Sequence, residues 1–386
     1  MTNLLQQTSV VDRIGRISSM VSSFKKPVAV AILATAGSAL FNSALAADGT
    51  IKAFLVQGNV KIVDNESGRS TPLKRGQTFG DGFTVITESD SSALLLFSNG
   101  SAVNVTPDSS LELKEFTQDS ANTNISLQPE TSASKTDLKL DYGGIIGEVK
   151  KLNPSSSYTV STPAGSAGIR GTTYEVYYSE ATGETTIRTI EGTVVASFEG
   201  NVLNVPAGEN VQVNESGLGQ LAANNPQQTL ATQRIMAASL AAGRAGEQAE
   251  NAAGAAGVLE ADARDFGDSA ATAAFAQATR DTANLTTLDA ITAAANTAEA
   301  NTVAAFQSIV NNAVGDQPQS DVSRIIKTAG RIAARDVVNG ENVQDLNIPN
   351  IVSQAERIDN TINTIDTERG AGFENLPIEG IPQSGN

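Results

Sequence analysis

The feature that most constrains the fold is a change in the spacing of apolar residues along the chain. From Ile51 to about Val213, short runs of alternating apolar and polar residues recur, separated by Gly, Asn, Asp and Pro. Alternation with a period of two is typical of β-strands that bury one face. Many short strands without intervening helices predict a sandwich, a roll or a short solenoid. This part of the chain is therefore predicted to be all β.

Beyond a composition shift at Gly217–Pro226, the sequence becomes rich in alanine and is predicted to be helical. Alanine favours helix but buries little area, so such helices need long contacts with one another. The glycine-bearing stretch Ala241–Gly257 is predicted to be flexible or frayed. Apolar and small residues at three- and four-residue intervals predict a thin, coiled-coil-like seam formed by Leu288, Ile291, Ala295, Ala298, Thr302, Ala305 and Ile309.

Two further helices are predicted at Asp321–Val338 and Asn350–Thr367. The second of them is predicted to carry one apolar face that consists of Ile351, Ala355, Ile358, Ile362 and Ile365. The alanine-rich helices lack the basic residues and large apolar anchors of a membrane-lying helix. We therefore expect them to pack on other helices, either within the chain or between copies in a homo-oligomer.

The amino terminus has the features of an export signal. Lys25 and Lys26 precede the uncharged run Pro27–Ala47, and the small residues Ala44 and Ala46 suit cleavage before Ala47. A retained membrane anchor is the alternative, because about 21 residues just suffice to cross a bilayer. Cleavage is favoured because Thr, Gly, Ser and Asn dilute the run. We expect no membrane span once the signal is removed.

These patterns predict a division of the chain into consecutive regions. They are a signal peptide (1–46), a β domain (47–216), a linker (217–230), an alanine-rich helical region (231–315), further helices (319–368) and a loose tail (369–386). The fold class is thus α+β in separate regions, with an all-β domain followed by helices.

Composition excludes several classes of function. The chain contains no Cys and no His, which removes Ser-His triads, Cys-His dyads and nearly all zinc, copper and haem sites. Its formal net charge of −16 argues against nucleic acid as a partner, because phosphate binding needs clustered Lys and Arg. No cofactor and no enzymatic activity are predicted.

The most distinctive motif lies in Ser161–Val176, which reads STPAGSAGIRGTTYEV. A Thr-Pro pair leads through small residues to an arginine beside a glycine, and an alternating strand follows. The glycine permits a tight turn, and the guanidinium offers several donors in a planar fork. The candidate site residues are Thr162, Pro163, Ile169, Arg170, Gly171, Thr172 and Tyr174.

This motif resembles the signature of the FecR family of bacterial surface-signalling regulators. Further family-like segments flank it in the expected order over Ile51–Val213, namely Leu73–Thr87, Ala93–Val105, Tyr142–Val149, Ile190–Val194 and Pro206–Val213. The resemblance implies an extracytoplasmic β domain, built as a twisted roll or short β-solenoid. FecR-type regulators also have a cytoplasmic anti-sigma domain, and the residues ahead of Pro27 are expected to be too few to form one.

Arg170 has two interpretations. It could hold the turn and the strand edge by donating hydrogen bonds to backbone carbonyls, in which case its loss would cost on the order of 1–3 kcal/mol. It could instead contact a ligand or a partner on the domain surface. The structural interpretation is favoured, because single arginines in turns of small residues usually serve geometry.

Two clusters of acidic residues are better explained by structural roles than by metal binding. Asp262, Asp265 and Asp268 recur every third residue but lack the surroundings of a kinase metal site, so a solvated helix face or cap is expected. The segment Asp64–Gly68 lacks the calcium-loop pattern and is predicted to be a turn between strands.

The sequence therefore predicts an exported, periplasmic or cell-surface protein that binds a protein or cell-envelope partner. A scaffold or interaction module is the leading hypothesis. The first alternative is a signalling regulator that senses an outer-membrane receptor, which requires Pro27–Ala47 to remain in the membrane. A carboxylate-based hydrolase is the third hypothesis, although no pair of acids is singled out.

Overall fold

The computed structural model describes residues 47–119, 125, 128–315 and 318–374. The export signal predicted at 1–46 lies outside them. The strands are β1 (Ala47–Asp48), β2 (Ile51–Gln57), β3 (Val60–Asp64), β4 (Ser70–Pro72), β5 (Thr78–Phe79), β6 (Phe83–Thr87), β7 (Ser92–Phe97), β8 (Ala102–Val105), β9 (Ser109–Gln118), β10 (Ser134–Glu148), β11 (Ser157–Thr162), β12 (Gly165–Ile169), β13 (Thr173–Ser179), β14 (Glu184–Glu191), β15 (Thr193–Phe198), β16 (Asn201–Pro206), β17 (Glu209–Asn214), β18 (Gly217–Leu218) and β19 (Ala222–Ala223).

Five helices follow these strands in the described part of the chain. They are α1 (Pro226–Ala255), α2 (Glu260–Thr282), α3 (Leu288–Ala313), α4 (Gln319–Val338) and α5 (Ile348–Glu374), with a 3-10 turn at Val343–Asp345. The start of α1 follows from its sequence, because the Asn225 side chain accepts a hydrogen bond from the Gln227 amide and Pro226 occupies the first turn. The prediction of a β-rich region followed by helices is confirmed.

The strands form two sheets that share β10. The first sheet has the order β4-β3-β6-β9-β10-β11-β12-β15-β16, and β1 pairs with the end of β9. The second has the order β5-β2-β7-β8-β10-β13-β14-β17, and β18 and β19 both pair with β17. The pairing of β10 with β11 is parallel and the others are antiparallel. Gly143, with φ of 81°, lies where β10 passes from the first sheet to the second.

The two sheets bury their main core between them. In the paired halves of β9 and β10 buried and less buried residues alternate between bulges, and Leu111, Leu113, Leu138 and Leu140 are at most 1% exposed. The same core takes residues of β2, β3, β7 and β17, so both sheets contribute. The period-two alternation seen in the sequence is therefore the inward and outward alternation of the strands.

The outer face of the second sheet is covered by α1 and α2. Phe54, Leu94 and Ile146 pack there against alanines of both helices. A β-carbon on Gly243 would lie 2.3 Å from the Phe54 ring, so only glycine lets α1 approach the sheet this closely. The prediction that Ala241–Gly257 is flexible or frayed is therefore wrong for most of its length, since α1 continues to Ala255 and packs tightly.

The helices share a second core. Phe266 of α2 and Phe306 of α3 lie 5.0 Å apart between ring centroids and are fully buried. The seam predicted on α3 is buried at Ile291, Ala295, Ala298, Thr302 and Ile309, whereas Phe306 is buried in place of Ala305 and Leu288 is exposed. The larger phenyl ring takes the inward position because it buries more apolar area.

The apolar face predicted for α5 is rotated in the structure. Ile358 and Ile362 are 44% and 45% exposed, whereas Val352 is buried. The inward position is taken by Asp359, which is only 4% exposed and lies 2.6 Å from the Arg324 guanidinium of α4. The ion pair sets the face of α5 that contacts α4. Of the predicted face, Ile351 and Ala355 are buried and the side chain of Ile365 lies outside the described residues.

The region boundaries need two corrections. The segment 217–230, predicted as a linker, contains β18, β19 and the first residues of α1. Residues 369–374 of the predicted loose tail belong to α5, and the rest of that tail lies outside the described residues. Independent folding of residues 47–216 stays a prediction. None of the helices in the described ranges is long and apolar enough to cross a membrane.

Candidate functional site

The motif around Arg170 forms the connection between β12 and β13. Gly171 has φ of 63°, a conformation that favours glycine, and the Val149 amide donates to the Thr172 carbonyl at 2.9 Å. Arg170 itself is exposed, and its Nη2 donates to the Asn153 carbonyl at 3.4 Å. The structural interpretation expects several hydrogen bonds from Arg170 to backbone carbonyls, and the structure shows this one long bond. A structural role for Arg170 therefore stays a prediction.

The other half of the motif is structural. The Thr162 hydroxyl lies 2.6 Å from the Thr185 hydroxyl and donates to the Gly165 carbonyl at 3.1 Å, which fixes the tight hairpin of β11 and β12. Pro163 is exposed at the tip of this hairpin. Ile169 is 3% exposed and lies in the core between the sheets.

Tyr174 completes the buried half of the motif. Its hydroxyl donates to the Tyr158 hydroxyl at 3.3 Å, and both rings are almost fully buried. Burial raises the pKa of both phenols well above the ordinary value, because the charged form would lose its hydration. A β-carbon on Gly147 would lie 2.2 Å from the Tyr174 ring, so the glycine makes room for it. The pair is a neutral part of the core.

The exposed half of the motif lines a recess of about 550 Å³. Three cationic side chains, those of Lys150, Lys151 and Arg170, line it together with Glu148 and Glu191. Lys150 forms an ion pair with Glu148. In a chain of net charge −16, the recess has a small excess of positive charge, with three cations against two carboxylates. It can bind a carboxylate or another polar, negatively charged group of a partner.

A larger groove of about 950 Å³ adjoins the recess, since Glu148, Lys150, Thr173 and Glu191 line both. It lies between the end of the second sheet and helices α1 and α3. Its floor is largely apolar and includes Ile190, Met236, Leu240, Leu288 and Val303.

The rim of the groove carries a charged contact between two helices. Arg244 of α1 lies 2.6 Å from Glu299 of α3 and also donates to the Asn296 side chain at 2.9 Å. Sequence reasoning missed the groove, because its walls come from parts of the chain more than a hundred residues apart. The four-residue spacing of Met236 and Leu240 among small residues gave no signal beyond an amphipathic helix.

The acidic residues of α2 bind cations in the structure. Asp262 lies 2.5 Å from Lys327 and Asp265 lies 2.8 Å from Arg331, both on α4. Asp268 lies 2.5 Å from Arg75. The expectation of a solvated face or cap is wrong for Asp262, which is 13% exposed, whereas Asp265 and Asp268 are 42% and 48% exposed within their ion pairs. Burial is the main cause that raises the pKa of Asp268, and the Arg75 charge opposes it.

The acidic segment Asp64–Gly68 is a turn between β3 and β4, as predicted. The Asp64 Oδ1 accepts hydrogen bonds from the amides of Glu66 and Ser67 at 3.0 and 2.8 Å. These bonds, led by that from Ser67, lower the pKa of Asp64. Across the described ranges, no group of three or more Asp or Glu side chains is placed to hold a metal ion.

Arg75 is a buried residue with three side-chain hydrogen bonds that sequence reasoning missed. It lies in the turn before β5, is 5% exposed, and binds Glu250 of α1 at 2.7 Å and Asp268 of α2 at 2.5 Å. Its Nη2 also donates to the Arg264 carbonyl at 3.2 Å. A basic residue beside Gly76 in a turn is common, and only the folded chain brings two helices to it. Arg75 therefore ties the β region to both helices.

Known proteins resemble the β region. The sequence profile of the family described as FecR protein matches residues 83–195, which run from β6 into β15 and include the whole Arg170 motif. No curated protein is detectably similar in sequence.

Solved structures give a weaker likeness. Two crystal structures of a candidate anti-sigma factor from Parabacteroides distasonis ATCC 8503, at 2.50 and 1.65 Å resolution, align over 37% of this chain with a TM-score of 0.29 and identities of 12% and 13%. The aligned part spans 59% of the length of those proteins. From its sequence signature over residues 83–195, this chain carries a FecR-like domain.

Proposed function

We propose that this protein is a non-catalytic regulator of the FecR type in the cell envelope, and that it binds a partner protein at the recess beside Arg170. The observation that carries the proposal is the position of Arg170. It lies within the family match, it is exposed, and it lines a recess with Lys150 and Lys151. A residue that served only the turn would be expected to make more bonds within the chain.

The chemistry of the recess supports protein binding. The Arg170 guanidinium makes one long hydrogen bond within the chain, so most of its planar fork is available to a partner carboxylate or carbonyl. The adjoining groove offers apolar area for an anchoring side chain, and hydrophobic anchors supply much of the affinity of protein interfaces. Cations at one end and an apolar floor at the other favour a peptide segment with both an acidic and an apolar residue.

The FecR match favours a signalling regulator over the scaffold module of the sequence analysis, and it gives no support to a carboxylate-based hydrolase. The two surviving hypotheses differ at the amino terminus. Signalling requires Pro27–Ala47 to remain as a membrane helix, whereas a scaffold is compatible with cleavage before Ala47. Amino-terminal sequencing of the protein from cell envelopes distinguishes them, since a mature start at Ala47 would contradict the signalling role.

The binding surface is tested by site-specific crosslinking in cells. A photoreactive residue in place of Arg170 should capture a partner, whereas one in place of Ala181, in the exposed turn at the other end of β13, should not. Cells that carry Arg170→Ala should then show the same changes in transcript levels as cells that lack the protein. Equal capture from both positions, or unchanged transcripts in the deletion strain, would contradict the proposal.

A further inference from the structure

The first sheet ends in a strand that is open on one side. β16 pairs with β15 alone, and no other described strand pairs with its outer side. The opposite edge, β4, has three residues and ends in Pro72. The edges of the second sheet are short as well, since β5 has two residues and β17 is flanked by β18 and β19. β16, with six residues, is therefore the longest open edge in the described part of the chain.

This edge lacks the features that usually prevent strand pairing. Proteins protect open edges with lysines, prolines, bulges or a covering element. β16 reads Asn-Val-Leu-Asn-Val-Pro, so it has no charge, and its one proline is the last residue. Its register with β15 is regular. The Val205 carbonyl already accepts a hydrogen bond from the Thr189 hydroxyl at 2.9 Å, which leaves residues 201–204 for a further strand.

An apolar patch lies on the solvent face beside this edge. Val202 is 67% exposed, the most of any large apolar residue in the described chain, and Val195 on β15 is 38% exposed. Val202 is paired with Ser197, and Asn204 is paired with Val195, so both valines lie on the same face of the sheet. A strand added beside β16 would place every second side chain next to Val202.

The charges around the edge indicate what would bind there. Between Arg188 and Arg234 the sequence contains no Lys or Arg, and Glu199 and Glu209 flank β16 on its two sides. Glu199 lies in the turn just before β16 and is exposed, and Glu209, which is partly buried, lies three residues after the end of β16. A second copy of this chain would bring the same glutamates together, which is unfavourable. A segment with basic residues at its ends would meet opposite charge.

We propose that β16 is a docking edge, to which an extended segment of a partner protein with apolar alternation and basic ends adds as a further strand of the first sheet. Main-chain hydrogen bonds supply the affinity in this mode of recognition, and alternate side chains supply the specificity. The inference does not depend on the regulatory role or on the Arg170 recess, because it rests on a different element and different residues.

The test uses the full chain and a synthetic peptide, Lys-Lys-Thr-Val-Thr-Val-Thr-Lys-Lys, with blocked ends. Hydrogen exchange measured by mass spectrometry should show slower exchange of the amides in 201–205 at about 1 mM peptide, a concentration that detects even a weak complex. The same peptide with both valine amides methylated should give no protection, because it cannot complete the ladder. A peptide with glutamate in place of the lysines should bind at least about tenfold more weakly.

Two lysine variants distinguish binding along the open edge of β16 from binding to the solvent face of the sheet. Val202→Lys places a charge on the open strand and should weaken the complex by about tenfold, as lysines on natural edges do. Val195→Lys adds the same charge on the same face, one strand further in, and should change the affinity by less than about twofold.

Three results would overturn the inference. The first is an absence of protection of 201–205 at the highest peptide concentration. The second is equal binding of the methylated peptide or an equal effect of the two lysine variants, which would mean that the backbone edge is not used. The third is a dimer of the free chain in sedimentation velocity that Val202→Lys dissociates, because the occupant would then be a second copy.

Discussion

Replacing Arg75 with methionine should reveal how strongly the β region is tied to the helices. The guanidinium is 5% exposed and binds carboxylates on α1 and α2 and a carbonyl of α2. Methionine keeps most of the apolar stem but removes the charge and every donor. Glu250 and Asp268 would then lie close together without a cation.

The expected loss of unfolding free energy follows from how deeply Arg75 and its two carboxylate partners are buried. Breaking a buried ion pair by removing one partner typically costs about 3–5 kcal/mol, because a charge is left without compensation. Here the Glu250 and Asp268 side chains are 28% and 48% exposed, so water can hydrate part of the charge. We therefore expect Arg75→Met to lower the free energy of unfolding by about 3 kcal/mol, the lower end of that range.

The assay is urea denaturation followed by circular dichroism, with two comparisons. Lys52→Met removes a second ion pair between the β region and α1, that of Lys52 and Glu247 at 2.7 Å, and both of its side chains are more exposed than Arg75. It should cost less than about 1 kcal/mol. Adding Glu250→Gln and Asp268→Asn to Arg75→Met should recover most of the loss, because no charge remains unpaired.

The pH dependence gives an independent check. Burial already raises the pKa of Asp268 and Arg75 opposes it, so removing Arg75 should raise this pKa further. A folded-state pKa above the unfolded value means that the carboxyl destabilises the fold when charged and is relieved as the pH falls. The deficit of Arg75→Met should therefore shrink between pH 7 and pH 4. A deficit no larger than that of Lys52→Met, or one independent of pH, would refute this reasoning.

Three further predictions concern single positions. Gly243→Ala should destabilise the protein by about 1–3 kcal/mol, because its β-carbon would overlap the Phe54 ring, whereas Gly254→Ala in the same helix meets no atom within 4 Å and should be neutral or stabilising in thermal melts. Burial raises the pKa of Tyr158, so this residue contributes stability that is full below about pH 10 and is lost as the pH rises further. In urea titrations at alkaline pH, Tyr158→Phe should therefore reduce the fall of the unfolding free energy with pH by about 1.4 kcal/mol per pH unit. Arg170→Ala should change that free energy by less than about 1 kcal/mol, since one long, exposed hydrogen bond is lost; a larger loss in urea denaturation would restore the structural interpretation of this residue.

The sequence predicts the local features of this fold well. Alternation identifies the buried residues of the strands, as at Leu111 and Leu113, because a strand shows its two faces directly in the order of its residues. Three- and four-residue spacing finds the buried side of α3 for the same reason. The Arg170 motif and the family-like segments around it identify the FecR-like domain, because they follow one another in the expected order along the chain.

Features made by distant segments were not predictable in this way. The glycines of α1 suggested flexibility, yet Gly243 is needed because Phe54 of β2 lies against it, and no local pattern contains both residues. Asp359 occupies a buried position on α5 only because Arg324 of α4 faces it. The groove next to the Arg170 recess likewise exists only when α1 and α3 lie near the end of the second sheet. Tertiary partners override local periodicity at each of these positions.

The long strand β10 connects the two sheets mechanically, because it is hydrogen-bonded to strands of both. Its 15 residues make up roughly 50 Å of extended chain, which passes from one sheet to the other at Gly143 and is paired along both edges, with β9 and β11 in its first half and with β8 and β13 in its second. It ends at Glu148, on the wall of the recess. A partner that pulled on this wall along the strand would load the ladder in shear, because its hydrogen bonds run across the direction of tension. Many bonds would then have to break together, so both sheets would share the force.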